Sequence, residues 1–273
     1  MTSALMLSAA ALALQAGPET SSDAGQARPA YVDVITVTGR PVDRDADAVI
    51  ALSAPPAEPD AAALIARLPG AALIDNGALS GQVQYRGLFG PRVAVAINGQ
   101  RFASGGPNLM DPPLHYAPAP LLDRIELTRG PAPVSAGPSL SAQANAVLKS
   151  IDYAPGPETV FSADLTSIVR SVDESLAAGG VAGVATQRQR IQVLASLEEG
   201  DDLQTPIATL DGTQHERVVY GAGYAARLTE AVEFTLDLRR QETGPTGNPP
   251  FPMDIRYFDT NTARAGLSFD DGG

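Results

Sequence analysis

From Val160 onward the chain alternates apolar and polar residues, run after run. The runs are Val160–Val169, Leu176–Val184, Arg190–Glu199, Arg217–Arg227, Val232–Gln241 and Thr262–Phe269. In one of them Val232, Phe234, Leu236 and Leu238 share a parity, and Glu233, Thr235, Asp237 and Arg239 hold the other. In another, Ile191, Val193, Ala195 and Leu197 oppose Arg190, Gln192, Ser196 and Glu198, and Val218, Tyr220, Ala222, Tyr224 and Ala226 repeat the pattern. A period of two puts alternate side chains on opposite faces of a strand, so these runs require a sheet with two unlike faces. Two settings supply one. A transmembrane barrel turns its apolar parity to lipid, and a soluble sandwich buries it in a core. Periodicity alone does not separate them.

The rest of the composition narrows the chemistry. Abundant Gly (26) and Pro (23) favour short strands and turns over long helices. A formal charge of −12 leaves no basic face for nucleic acid. With no cysteine there is no disulfide, thiolate site or thiol nucleophile. Two histidines, His115 and His215, are too few for a His-rich zinc centre. There is no nucleophile elbow, P-loop or HExxH motif, and the carboxylates form no recognisable pair, so no enzyme and no cofactor are expected.

The N-terminus divides into short pieces. Residues 1–16, apolar from Ala4 to Ala16, read as the core of a secretory signal, although no Lys or Arg precedes Arg28. Residues 17–63 read as a loose linker that holds one β-prone run, Asp33-Val34-Ile35-Thr36-Val37-Thr38-Gly39. From Leu64 a short apolar-periodic helix runs into Pro69-Gly70, and strands ending in glycine follow: VQYRG, RVAVAING and DRIELTRG. Asn98-Gly99 marks a tight turn between two of them.

This order over residues 64–150 resembles the plug domain of TonB-dependent outer-membrane receptors, and Ile125-Glu126-Leu127-Thr128-Arg129-Gly130-Pro131 carries the likeness most specifically. The resemblance implies an α+β plug domain, a short mixed β-sheet with small helices. Antiparallel strands of an incomplete transmembrane β-barrel would follow over residues 158–273. It implies a bacterial outer-membrane location and energy coupling through the periplasmic protein TonB. Residues Asp33, Val34, Ile35, Thr36, Val37 and Thr38 would be the strand that TonB captures edge-on. It also implies that Arg86 and Arg129 face the barrel wall and pair with its glutamates, as the bidentate guanidinium allows. A plugged pore needs roughly 22 strands, so six strands are expected to be part of a longer receptor.

Phe89-Gly90-Pro91-Arg92, Met110-Asp111-Pro112-Pro113 and Gly137-Pro138 resemble the copper-receptor branch of the family. The likeness implies a copper ion as substrate, held by the thioethers of Met110 in the plug and Met253 in an outer loop, because soft sulfur suits Cu(I). His115 is a further candidate ligand. The branch's plug cysteine is replaced by Gly106 and its loop histidine by Phe251. Alternation of strands places the Leu228–Ala231 turn on the periplasmic side and the loop 243–260, with Met253, outside. The alternatives are a receptor for a siderophore or another metal chelate, and a secreted soluble β-rich binding protein.

Overall fold

The computed structural model describes residues 60–106, 109–131, 137–251 and 253–269, together with one strand at 48–51. The signal-like segment and the run Asp33–Thr38 lie outside the described residues.

The first half is built of small elements: β1 (Ala48–Ala51), α1 (Ala61–Ile65), β2 (Ala71–Ile74), β3 (Gln82–Tyr85), β4 (Leu88–Phe89), β5 (Val93–Ile97), β6 (Gln100–Phe102), β7 (Leu122–Arg129) and β8 (Ala142–Leu148). Its main sheet has the order β1-β7-β8-β5-β6. The β5–β8 pair is parallel and the others are antiparallel, so the sheet is mixed. Strands β2, β3 and β4 form a second sheet. Asn98 (φ 49) and Gly99 (φ 76) turn β5 back into β6 with Ile97 opposite Gln100, the two-residue hairpin that Asn-Gly favours.

The helix departs from the sequence expectation. It starts at Ala61, inside the stretch read as loose linker, and it ends at Ile65, well before Pro69-Gly70. Asp60 decides this. Its carboxylate accepts from Ala62 N at 2.8 Å, which caps the first turn, and from Gly81 N at 2.6 Å, which ties the helix to the segment before β3.

The second half is a six-stranded antiparallel sheet: β9 (Val160–Arg170), β10 (Ser175–Ala185), β11 (Gln189–Gly200), β14 (His215–Arg227), β15 (Val232–Thr243) and β16 (Phe258–Phe269). Between β11 and β14 a small hairpin, β12 (Leu203–Gln204) with β13 (Thr209–Leu210), stands in the loop 201–214. Each of the six expected strands is present, longer at one or both ends by one to four residues, except for the shared starts at Val160 and Val232 and the shared ends at Arg227 and Phe269.

The alternation resolves into two faces. On β11, Gln192, Leu194, Ser196 and Glu198 are buried against the first half, while Ile191, Val193 and Leu197 point away. The outward face of the sheet is apolar and open: Phe161 is 70 % exposed, Leu165 81 %, Val169 77 % and Phe269 75 %. The inward face joins the core of the first half. Val181, Ala185, Leu194 and Val219 pack in one cluster with Leu64, Ile97, Ile125 and Leu148. A soluble sandwich would have covered the apolar parity. Here the polar parity is the covered one, and the apolar parity forms a contiguous bare face of the kind that marks an interaction surface.

Candidate functional site

The segment from Gly105 to Leu121 is where the first half meets the wall. Prolines shape it: Pro113 and Pro120 open or enter short 3-10 turns at Pro113–Tyr116 and Ala119–Leu121, where a missing N–H costs nothing. Upstream, Gly105 and Asp111 exchange backbone hydrogen bonds at 2.8 and 3.1 Å and close a loop that carries Met110. Met110 is buried at 8 % exposure. Asp111 accepts from Tyr116 Oη at 2.8 Å, and burial raises its pKa.

His115 sits in the centre of this segment, 3 % exposed. Its Nδ1 lies 3.2 Å from Leu79 O, and its Nε2 lies 3.1 Å from Thr243 Oγ1 on the wall. A carbonyl can only accept, so Nδ1 carries the proton and Nε2 accepts from the threonine hydroxyl. Burial, then the positive field of Arg217, lowers its pKa to about 3. The ring is therefore neutral with both nitrogens engaged, and it serves as a structural link between plug and wall.

The wall answers with a buried ion pair. Arg217 on β14 and Glu198 on β11 stand opposite each other in register and are 1 % and 0 % exposed. Arg217 donates from Nε and Nη2 to Glu198 Oε2, both at 2.6 Å, and from Nη1 to His115 O at 2.6 Å. Tyr116 and His115 also face Phe258 at the start of β16, with ring centroids 6.2 and 6.0 Å away. The loop 244–257, which carries Met253, leads into that strand. Met253 is 43 % exposed.

The opposite end of the wall is fastened by the connecting segment after β8. Ile151 N donates to Gln192 Oε1 at 3.0 Å, and Ile151 O accepts from Arg190 Nη1 at 2.5 Å. Tyr153 lies between the guanidinium carbons of Arg227 and Arg190, at 4.1 and 5.2 Å from its ring centre, and donates to Glu233 at 2.8 Å. Lys149 reaches Asp164 Oδ1 at 2.6 Å.

Two plug arginines, Arg86 and Arg129, are expected from the sequence to pair with wall glutamates. Arg86 and Arg129 are both exposed, and Arg86 (φ 49) lies over the ring of its neighbour Tyr85. In the described residues the buried guanidinium at the junction is Arg217, which belongs to the wall and binds a plug carbonyl. The sequence held one signal for it: Arg217 and Glu198 both fall on the inward parity of adjacent long strands. Among the described residues no three His, Asp or Glu side chains gather as a metal cluster.

A folded domain seated against the polar face of an antiparallel sheet, whose other face is apolar and open, defines a class of protein. Residues 53–142 match the family model of the TonB-dependent receptor plug domain, so this segment is a plug domain. No curated protein matches the chain in sequence. Among solved structures it is similar to the copper transporter OprC, at 18 % identity and a TM-score of 0.72 over 80 % of this chain and 33 % of that one. It is also similar to the FrpB iron transporter of Neisseria meningitidis, at 12 % identity and a TM-score of 0.61 over 82 % and 38 % of the two chains. The siderophore receptor PirA of Acinetobacter baumannii gives 19 % identity and a TM-score of 0.55 over 72 % and 31 %. The chain thus spans about a third of the length of these relatives.

Proposed function

We propose that the chain is the plug and first wall strands of an outer-membrane receptor for energy-coupled uptake of a metal ion or metal complex, driven through TonB. The observation that carries this reading is the inverted sheet: the polar parity is covered by a plug-family domain, while the apolar parity is bare. Lipid is the surrounding that such a face requires. Residues Asp33–Thr38 supply the β-branched run that TonB would capture.

Copper is the favoured substrate, with Met110 and Met253 as its thioether ligands. Support comes from the topology. Met110 lies five residues before His115, and His115 packs against Phe258, the residue at which the Met253 loop enters β16. Both methionines thus belong to segments at the same end of the wall. His115 is left out of the ligand set because both its nitrogens are engaged. The test is Cu(I) affinity and uptake in the whole receptor. Met110→Leu and Met253→Leu should each weaken Cu(I) binding while leaving folding unchanged. Unaltered affinity in both would direct the search to a chelate receptor.

A further inference from the structure

Three glycine backbones lie stacked where the plug meets the two long outer loops. Gly77 belongs to the plug turn between β2 and β3, Gly247 to the loop that carries Met253, and Gly212 to the loop 201–214. Gly77 has φ +141, and a Cβ placed on it would stand 2.5 Å from Gly247 O. A Cβ on Gly247 would fall inside the carbonyl group of Gly212. No side chain fits at either contact, so the approach is open to glycine alone. One hydrogen bond joins the two loops, and another shapes the plug turn itself. Gly247 N donates to Gln214 O at 2.9 Å, and Gly77 N donates to Asp75 Oδ1 at 3.1 Å.

The same loop is fastened on the side of its methionine. Thr246 and Ile255 exchange backbone hydrogen bonds at 2.9 and 2.8 Å, and Asn248 N donates to Asp254 Oδ1 at 3.2 Å. Thr246 and Asn248 are fully buried. Met253 is therefore followed by two residues, Asp254 and Ile255, that are tied directly to the neighbours of Gly247. Beside the stack opens a cavity of about 540 Å³, whose lining includes Asp75, Gly77, Asp211, Thr213 and Pro249.

We propose that Gly77, Gly247 and Gly212 form a backbone clasp that positions the Met253 loop on the plug, so that movement of the plug turn releases the loop. Its role in substrate binding rests on the copper reading above. Its role as a mechanical link between plug and outer loops does not. Gly77, Gly247 and Gly212 are positioning residues, and none of them touches the metal.

The experiment is hydrogen exchange on the whole receptor in detergent, read at residues 245–256 and 75–81, with Cu(I) affinity measured on the same samples. Gly247→Ala should speed exchange in both segments by about tenfold or more, because local opening there loses its shared contact. Gly77→Ala, which approaches from the plug side, should do the same and gives a second route to the answer. Gly156→Ala, where a Cβ meets open space, should change neither segment. Cu(I) affinity should fall in Gly247→Ala although both methionines are intact. Unchanged exchange in Gly247→Ala and Gly77→Ala would overturn the clasp, and so would faster exchange in the loop with no change at 75–81. Faster exchange in both segments, with Cu(I) affinity indifferent to Met253→Leu, would keep the clasp and remove the copper assignment.

Discussion

Arg217 and Glu198 form an ion pair that solvent does not reach, and its third hydrogen bond, to His115 O at 2.6 Å, leaves the wall and enters the plug. Two groups, one in the wall and one in the plug, thus depend on one guanidinium. Removing the cation leaves a buried carboxylate without its paired counter-charge, the costly way to break such a pair. Arg217→Met should destabilise the junction by about 3–5 kcal/mol, and Arg217→Met with Glu198→Leu by much less. Hydrogen exchange at residues 113–121 reads this as the free energy of local opening. Equal exchange in wild type and Arg217→Met would show that the plug is held elsewhere.

His115 makes a separate prediction. Its ring is neutral at any pH above about 3, because burial and then the nearby Arg217 oppose the imidazolium. Its ring signals should therefore not titrate between pH 5 and 8. His115→Ala should lower stability by about 1–3 kcal/mol, since Leu79 O loses its side-chain donor and the Thr243 hydroxyl loses its acceptor. Cu(I) affinity should stay within about twofold, provided the plug remains folded. A large loss of affinity with unchanged stability would make His115 a ligand after all.

Asp60 gives the plug a pH dependence. Burial pushes its carboxyl up to about 7, against the lowering effect of the Ala62 and Gly81 N–H groups and Arg217, with Asp75 adding to the rise. The folded state therefore holds this proton more tightly than the unfolded chain. Its contribution to stability is complete below about pH 4 and is lost as pH climbs through about 7, to the order of 4 kcal/mol at the alkaline end. Opening of α1 and of Gly81 N–H should thus become easier from pH 5 to pH 8, after correction for intrinsic exchange. Asp60→Asn should flatten that profile. A profile that stays as steep in Asp60→Asn would assign the effect to another group.

Tyr153 anchors the segment between plug and wall. Tyr153→Phe removes the bond to Glu233 and should cost about 1 kcal/mol, whereas Tyr153→Ala also removes the stacking with Arg227 and Arg190 and should cost about 2–3 kcal/mol. The check is exchange at residues 150–156, where both variants should open faster than wild type in that order.

What was legible in the sequence follows a physical line. The wall strands were readable because a sheet with one bare apolar face and one covered face imposes a strict period of two, as Ile191 to Glu198 show. Asn98-Gly99 was readable because both of its positions take positive φ. The start of α1 was missed because its signal is one side chain, Asp60, whose second partner, Gly81, lies 21 residues away. The parallel β5–β8 pairing and the β12–β13 hairpin depend on contacts that no local pattern records. Arg217 was not singled out at the junction, because a sequence shows charge and not depth. Arg217 became visible only when register set it opposite Glu198.

The central claim is that the apolar face of the wall meets lipid while the other face meets the plug. The chain has no cysteine, so single cysteines can carry a nitroxide without background. Labels at Leu165, Val193 and Leu238 should be accessible to dissolved oxygen and shielded from a water-soluble nickel chelate in lipid vesicles. Labels at Thr235 and Thr262, on the other parity, should lack that preference for oxygen. If both parities were equally open to the nickel chelate, the wall would stand in water, and the receptor reading would fail with it.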